Sequence, residues 1–359
     1  MSDSKKIKVW YPPRASWVEW ELSFCDQIEI EKDLQQIIPN FNSLNVVVDM
    51  LQSNESCSID EILEYNKIFD RIVLINCETR NDVLSMAKQF DLSKVCFISL
   101  GYLNYEPQHM KIIGIETVFG EVRKLYHKTD YAALAELATS QSKPYYFDAL
   151  LGMPKLHRDF IYKKIQENYK DKIYTRYQRQ NQSLSDSVTT NNWVWPTGAE
   201  IISQTDQKNW YSGNQIQFGD MITNISNVVP ITVYNDTYYS IVAETHYTND
   251  YVMLTEKTAK PLIAKRLFVM FAGLGYLAHL HRLGFQTFDS IIDESYDLEI
   301  DDTARWTKAF DQVQYLCGQS HEMVLQKIQP ILDYNYNLFV SRDWNEEFRQ
   351  AIITSITEF

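Results

Sequence analysis

The chain has 359 residues, of which 45% are hydrophobic and 23% charged, and its formal net charge at pH 7 is −13. This length exceeds what one hydrophobic core usually supports, so two domains are expected, and the composition is typical of a globular protein rather than a disordered one. The acidic charge disfavours a protein that grips nucleic acid through excess lysine and arginine, and the five cysteines lack the paired spacing of a zinc site or a disulfide framework.

Neither a membrane span nor a signal peptide is predicted. The longest nearly uncharged apolar run, residues 267–280, is shorter than the roughly 20 residues that cross a bilayer, and glycine and histidine interrupt it. The N-terminal segment has no apolar region of the kind that a signal peptide needs. We therefore expect a protein that makes no membrane contact and stays in the cytoplasm.

Short apolar runs alternate with helical stretches in the first part of the chain. Strands are predicted at residues 7–11, 44–50, 71–77, 95–100 and 112–115, and helices at 58–66, 81–90 and 129–142. This alternation is typical of a parallel sheet with helices on its faces. The polar segment 140–144 ends in Pro144, which disfavours helix at the residue before it, so a first Rossmann-like domain is predicted over residues 1–143.

The second part repeats the rhythm and predicts a second Rossmann-like domain over residues 144–359. Strands are predicted at 145–151, 238–244, 267–272 and 285–288, helices at 157–169, 255–264 and 274–283, and a mostly helical tail from 302. Residues 178–227 are polar and contain several tryptophans, which is typical of an insertion that packs on the fold or faces a ligand. The predicted fold class is therefore α/β with two domains.

Thr255, Glu256 and Lys257 stand at the predicted start of the helix that follows strand 238–244. A helix N-terminus offers unpaired N–H groups and a partial positive charge, so a diphosphate placed there is stabilised, and Lys257 adds a full charge. Glu256 can accept hydrogen bonds from ribose hydroxyls beside the diphosphate. The alternative is that Thr255 is only an N-cap, Glu256 a favourable first-turn acid and Lys257 a solvated side chain.

Arg158 occupies the equivalent place in the helix that follows strand 145–151. A guanidinium group can hold two phosphate oxygens at once. The alternative is a surface arginine paired with Asp159 or Glu167.

The pattern from Tyr239 to Gly273 resembles the C-terminal domain of the α-1,3-fucosyltransferase family. In that family a strand ends in a glutamate, here Glu244, a tyrosine-containing loop follows, Thr-Glu-Lys opens the next helix, and a strand ends in glycine. The resemblance covers about residues 144–300 and is densest in 238–273. Residues 284–288 and 293–297 also look similar to the tail of phage glycosyltransferase-like proteins related to these enzymes.

The resemblance implies a GT-B-like fold, in which two Rossmann-like domains enclose a cleft. It implies inverting transfer of a fucose-like or other sugar from a nucleotide diphosphate-sugar to a hydroxyl of a glycan acceptor, without a metal or another cofactor. It assigns donor contacts to Arg158, Glu244, Tyr251, Thr255, Glu256 and Lys257. Because Thr245 stands where the family has asparagine and the loop is two residues longer, the tyrosine contact corresponds to Tyr251 or is replaced by Met253.

Inverting transfer needs a carboxylate that takes the proton of the acceptor hydroxyl, and in this architecture the base belongs to the first domain. Glu78 is the preferred candidate because it ends the apolar strand 71–77, and ligands of such sheets bind beyond the carboxyl ends of strands. Glu116, after strand 112–115, is the second candidate.

Two other functions fit the same residues. A phage DNA-base glycosyltransferase would use hydroxylated bases as acceptors, although the acidic charge disfavours it. A catalytically inactive glycosyltransferase-like protein would serve for binding only. Loss of nucleotide binding would identify the inactive protein, and the intact Thr255-Glu256-Lys257 with Arg158 argues against it.

Overall fold

The computed structural model describes residues 6–23, 25–34, 43–51, 57–76, 93–103, 111–116, 118–120, 142–177 and 229–358, with short segments at 193–194, 201–202, 209–210, 215–218 and 221–224. The chain forms two compact units. The first unit is Met1–Thr117 with Asp343–Phe359, and the second is Val118–Arg342. The domain boundary predicted at residue 143 stays a prediction. The two units differ from the predicted domains because the C-terminal residues Asp343–Phe359 belong to the first unit.

The first unit contains a six-stranded parallel sheet in the order β2-β1-β3-β4-β5-β7. Its strands and a further short one are β1 (Lys6–Trp10), β2 (Ile28–Ile30), β3 (Ser43–Leu51), β4 (Arg71–Asn76), β5 (Val95–Ser99), β6 (Tyr102–Leu103) and β7 (Lys111–Gly114). Its helices are α1 (Val18–Leu22), α2 (Ile59–Ile68) and a C-terminal helix, Trp344–Thr357, with a 3₁₀ turn at Pro13–Ala15. The strands predicted near these positions are confirmed.

Alternating side chains of the central strands enter two separate hydrophobic cores, because successive residues of a strand point to opposite faces. Val47 and Leu74 pack in the same core as Ile62 and Phe69, on and beside α2. On the other face, branched residues of the sheet share a core with the C-terminal helix; these are Val46, Val48, Val73, Ile75, Ile98, Ile352 and Ile356. Helices on both faces explain why these strands read as nearly continuous apolar runs.

The C-terminal helix belongs to the first unit for a physical reason. Its buried Ile352 and Ile356 cover the sheet, Phe348 stacks on Trp17 with ring centroids 5.7 Å apart, and the guanidinium of Arg71 donates to the carbonyl of Ile356. The sequence placed this helix in the second domain. An amphipathic helix shows which of its faces is buried but not which sheet it covers.

The second unit contains a four-stranded parallel sheet in the order β17-β15-β8-β9. Its strands are β8 (Tyr145–Leu151), β9 (Ile173–Tyr177), β15 (Thr237–Ala243) and β17 (Phe268–Phe271), and other short strands are β10 (Trp193–Val194), β11 (Ile201–Ile202), β12 (Asn209–Trp210), β13 (Gln215–Phe218), β14 (Met221–Asn224) and β16 (Tyr251–Val252). The helices are α3 (Leu156–Asn168), α4 (Ile231–Asp236), α5 (Glu256–Ile263), α6 (Tyr276–Arg282), α7 (Asp302–Leu316) and α8 (His321–Ser341), and the C-terminal helix of the first unit is α9.

Each sheet has a point where the strand order reverses. In the first unit β2 and β3 lie on opposite sides of β1, and in the second β9 and β15 lie on opposite sides of β8. We call the carboxyl ends of β1 and β3 the first switch point, and those of β8 and β15 the second switch point. Ligands of doubly wound sheets bind in the crevice at such points.

One predicted strand is wrong, and several predictions cannot be compared. Residues 285–288 form no strand, because the main chain of Gln286 exchanges its N–H and C=O hydrogen bonds with the side chain of Asn335, at 2.9 and 2.8 Å. The predicted helix at 81–90 lies outside the described residues, as do the predicted helix at 129–142 except for its last residue and most of the 178–227 insertion. The helical tail is confirmed as α7, α8 and α9.

Candidate functional site

The second switch point collects most of the residues that the sequence singled out for donor binding. The segment after β8 leads into α3 with Lys155, His157 and Arg158, and the segment after β15 leads through Glu244 and Thr245 towards α5. The parallel pairing of β8 with β15 brings these two segments to one edge of the sheet.

Glu244 holds the start of α5 in place. Its carboxylate is fully buried and accepts hydrogen bonds from Thr255 N (3.0 Å), Thr255 Oγ1 (2.6 Å) and Thr258 Oγ1 (2.6 Å). The Thr245 N–H, 3.1 Å away, is a fourth donor. A negative charge at a helix N-terminus is stabilised by the unpaired amides and the helix dipole. The carboxylate of Glu244 therefore accepts its hydrogen bonds from protein groups. Its contact with a sugar donor stays a prediction.

Thr255 is the N-cap of α5, as the sequence predicted, and Lys257 lies in the first turn. The Thr255 hydroxyl accepts from the Lys257 N–H at 3.3 Å. The Lys257 ammonium donates to Glu256 Oε1 at 2.7 Å and to Thr245 Oγ1 at 3.1 Å, and its side chain is 25% exposed. The cation is therefore held at the crevice and remains accessible from solvent.

Glu256 is ionised beside these cations. Burial raises its pKa, but Lys257 and Lys260 lower it, and the net shift is downward. Its side chain is 22% exposed. A carboxylate in this state accepts hydrogen bonds, which is the chemistry that its predicted contact with ribose hydroxyls requires.

Arg158 is brought to the site but does not extend its guanidinium into the crevice. The residue is 3% exposed, and it donates from Nη1 to the Met153 carbonyl (2.8 Å) and from Nη2 to the carbonyls of Ala243 (3.2 Å) and Glu244 (3.3 Å). Burial lowers its pKa. A Cβ at Gly152 would lie 3.3 Å from Nη1, so glycine leaves room for this arrangement. Arg158 ties the end of β15 to the loop after β8, and its role as a phosphate ligand stays a prediction.

His157 also binds the segment after β15. It is fully buried, its Nε2 lies 2.9 Å from the Glu244 carbonyl, and its ring stacks on Tyr247 at 4.6 Å between centroids. Burial, reinforced by Arg158, lowers its pKa to about 3. The imidazole is therefore neutral at physiological pH and donates its Nε2 proton to the carbonyl.

Two further lysines were not singled out by the sequence: Lys155 at this edge, and Lys260 in the last turn of α5, whose charge is affected by Glu256 and Lys257. The Lys155 ammonium donates to the Thr245 carbonyl at 2.5 Å. Burial lowers the pKa of half-buried Lys260 to about 8, with Glu256 opposing and Lys257 reinforcing the shift. The four-residue spacing of Glu256 and Lys260 could have indicated from the sequence that their side chains are neighbours on one helix face. Nothing local marked Lys155, because its proximity to Thr245 depends on the order of the strands.

Tyr251 lies in the core and not on an open surface. It is 3% exposed, and its ring meets the edge of His246 at 5.1 Å between centroids. The neighbouring Met253 N–H donates to the Tyr276 hydroxyl at 3.3 Å. The predicted donor contact of Tyr251, or of Met253 in its place, stays a prediction.

Gly273 fixes the path of the loop that carries Thr245. A Cβ at Gly273 would lie 2.0 Å from the carbonyl oxygen of Thr248, so a larger residue would force the loop away from the end of β17. The Asn249 side chain accepts from the Leu274 N–H at 3.0 Å and donates to the Ile300 carbonyl at 2.8 Å. The loop is thus held from several sides.

The two candidate bases belong to the first unit. Glu78 lies outside the described residues. Glu116 is 6% exposed and follows β7, at the carboxyl end of the last strand of the sheet. Both assignments stay predictions.

Within the described ranges, no three His, Cys, Asp or Glu side chains gather as metal ligands, which leaves the predicted independence from metal untested. Among the same residues no helix has both the length and the apolar character of a membrane span. Comparison of the chain with protein-family models and with curated proteins gives no match.

Proposed function

We propose that this protein is a glycosyltransferase that moves a sugar from a nucleotide diphosphate-sugar to an acceptor hydroxyl. In this proposal the second unit binds the donor, the first unit carries the base, and the two form a GT-B-like enzyme. The observation that supports it most is the group of lysines near the second switch point: Lys155 and Lys257 lie beside the N-termini of α3 and α5, and Lys260 lies one turn further along α5.

This group stands out against the charge of the whole chain, which is −13. One ionised carboxylate, Glu256, is paired with Lys257, and Glu244 is engaged in four hydrogen bonds from protein groups. A crevice with excess positive charge attracts anions, and the partial charge of two helix N-termini adds to the attraction. A diphosphate matches both the charge and the place in the fold.

The same cations suit the chemistry of transfer. As the acceptor oxygen forms its bond to the anomeric carbon, the bond from that carbon to the phosphate oxygen breaks and negative charge grows on the leaving diphosphate. Fixed cations at that point stabilise the transition state more than the ground state. The acceptor proton passes to a carboxylate, for which Glu78 and Glu116 are the candidates.

A thermal-unfolding panel with GDP, UDP, CDP and ADP, and then with their sugars, tests the proposal. A ligand that binds the folded state alone stabilises it by about 2.7 kcal/mol at one hundred times its dissociation constant. We expect one nucleotide to raise the unfolding temperature clearly above the others, and its sugar conjugate to be consumed when a hydroxylated acceptor is supplied.

No shift with any nucleotide would contradict the proposal. A shift without sugar transfer to glycan acceptors or to DNA with hydroxylated bases would indicate a nucleotide-binding protein without catalytic activity.

A further inference from the structure

The segment that follows β15 at the second switch point carries a half-buried tyrosine, Tyr247, two residues beyond Thr245. Its ring stacks on the imidazole of His157, with centroids 4.6 Å apart, and meets the ring of Trp306 edge-on at 6.0 Å. His157 belongs to α3 and Trp306 to α7, and the two residues are 0% and 4% exposed. Buried side chains of two helices therefore fix the plane of the tyrosine ring.

The main chain around Tyr247 is fixed as well. A Cβ at Gly273 would lie 3.2 Å from the carbonyl carbon of Tyr247 and 2.0 Å from the carbonyl oxygen of Thr248, so the loop is packed directly against this glycine. On the other side of the tyrosine, the Tyr276 hydroxyl donates to the His246 carbonyl at 2.7 Å. The side chain of Tyr247 is thus held in one position before any ligand binds.

The fold does not use the hydroxyl of Tyr247. Among the described residues this hydroxyl has no hydrogen-bond partner, and it is not one of the polar atoms that are buried without one. The hydroxyls of Tyr239, Tyr276 and Tyr296 in the same unit are engaged by protein groups. Tyr247 therefore offers an accessible phenol that can both donate and accept a hydrogen bond.

Tyr247 also lies beside the place that the proposed function assigns to the diphosphate. Its stacking partner His157 is close enough to Lys155 and Lys257 for their charges to lower its pKa further. Ammonium groups only donate hydrogen bonds, whereas a phenol donates and accepts and adds an apolar ring without adding charge. These properties suit the uncharged nucleoside part of a ligand better than its diphosphate.

We infer that Tyr247 binds the nucleoside part of the donor through a hydrogen bond of its hydroxyl. The inference rests on the proposed function, since it assigns a further contact to the same site. A side chain that is already held in place loses little conformational entropy when the ligand binds, so the contact contributes to affinity.

The test is calorimetric titration of the full chain with inorganic pyrophosphate and with the nucleoside diphosphate that most stabilises the wild type. Tyr247→Phe removes the hydroxyl and keeps the ring that stacks on His157. We expect this variant to bind the nucleoside diphosphate about fivefold more weakly, the effect of one uncharged hydrogen bond, and to bind pyrophosphate like the wild type.

Three further variants show that the two titrations respond independently. Tyr315→Phe is the matched control, since Tyr315 is a 48% exposed tyrosine of the same unit, and it should bind both ligands like the wild type. Lys257→Ala should weaken the binding of both ligands. Lys163→Ala, which changes an exposed lysine of α3, should weaken the binding of neither.

Nuclear magnetic resonance of protein labelled with ¹³C at the tyrosine Cζ atoms gives a readout that a purely structural role would not change. The Tyr247 signal is the one that is missing from Tyr247→Phe. We expect it to shift when the nucleoside diphosphate is added, because a hydrogen bond to the hydroxyl changes the electron density at Cζ.

The outcomes separate the inference from the function on which it rests. Wild-type affinity of Tyr247→Phe for a nucleoside diphosphate that the protein binds would overturn the inference and leave the proposed function standing, as would an equal loss for pyrophosphate. A loss confined to the nucleoside diphosphate, in a protein that transfers no sugar, would support the inference and overturn the proposed function. Absence of binding of any nucleoside diphosphate to the wild type would overturn both.

Discussion

The two switch points have the same strand topology and differ in the charged side chains that surround them. When only the strands of each sheet are counted along the chain, both sheets place their second, first, third and fourth strands side by side in that order. At the first switch point Arg14, after β1, donates from Nε to Asp49 Oδ1 at 2.8 Å, and from Nη2 to Asp49 Oδ2 at 2.6 Å and Glu61 Oε1 at 2.9 Å. The cation there is matched by two carboxylates.

The second switch point is richer in cations. Lys155 and Lys257 donate to Thr245, Lys257 also pairs with Glu256, and Lys260 lies one turn further along α5. The other carboxylate, Glu244, is buried and accepts hydrogen bonds from Thr245, Thr255 and Thr258. The comparison indicates that strand topology alone does not make the crevice at a switch point a ligand site, because the charges of the surrounding side chains also matter. Where a cation is held between carboxylates, the loss of one partner is expected to destabilise the fold, and where cations are in excess, we expect an anion to bind.

The largest effect is expected from breaking the compensated pair of the first unit. Asp49 is fully buried, and besides Arg14 it accepts a hydrogen bond from the Tyr65 hydroxyl at 2.9 Å. Asp49→Ala removes the main partner of Arg14, which keeps only Glu61, and also the acceptor of the Tyr65 hydroxyl. Because a hydrogen bond to a charged group contributes about 1.5 to 3 kcal/mol, we expect the free energy of unfolding to fall by at least this much. Urea unfolding measures this loss.

Asp26→Ala is the control for this substitution, since Asp26 is an exposed aspartate of the same unit. A loss in Asp49→Ala no larger than in Asp26→Ala would show that the pair does not stabilise the first unit.

Strands and helix starts were the part of the fold that the sequence predicted well, because both depend on local chemistry. Branched apolar runs such as 44–50 and the N-cap at Thr255 appear where they were expected. The strand at 285–288 failed because a distant side chain, that of Asn335, satisfies the main chain of Gln286.

The candidate site was predictable only in part, for a related reason. The sequence located Thr255 and Lys257 at a helix start, but the nearness of Lys155 to Thr245 follows from the pairing of β8 with β15. Likewise, Arg158 is turned inward by carbonyls that lie about 85 residues later in the chain. Such contacts depend on strand order, which local sequence patterns do not determine.

The second-largest effect is expected from removing the general base that we assign to the first unit. If Glu78 takes the acceptor proton, Glu78→Gln should lower turnover by about 100-fold or more and leave nucleotide affinity and stability nearly unchanged. Steady-state kinetics with a working donor and acceptor measures it.

If Glu78→Gln turns over like the wild type, the general base is Glu116 or another residue. Glu116→Gln is the matched variant that tests Glu116. A small stability loss with unchanged turnover would mean that Glu78 only caps the helix predicted near Asn81.

The smallest effect is a pH dependence that only the second switch point should show. The folded state lowers the pKa of Lys260 from 10.5 to about 8, mainly by burial. A bound diphosphate favours the charged lysine and raises this pKa again. Affinity should therefore fall by roughly threefold between pH 7 and pH 9, and binding near pH 9 should take up protons.

Calorimetry in buffers of different ionisation enthalpy measures this proton uptake, and Lys260→Met should abolish it. The stability of the unliganded protein should change with pH in the opposite direction: affinity falls as the pH rises, whereas stability increases. The unfolded chain holds more protons between pH 8 and 10.5, so the destabilisation by Lys260 is present below about pH 8 and is relieved as the pH rises. Proton uptake that persists in Lys260→Met would assign the effect to another group.

The central claim is that the lysines of the second switch point bind a nucleoside diphosphate. Calorimetric titration of Lys257→Ala with the nucleotide that most stabilises the wild type tests it most directly, with Lys163→Ala as the control. A charge-assisted contact contributes roughly 1.5 to 3 kcal/mol, so Lys257→Ala should bind at least tenfold more weakly and remain folded. Equal affinities of Lys257→Ala and the wild type would contradict the account.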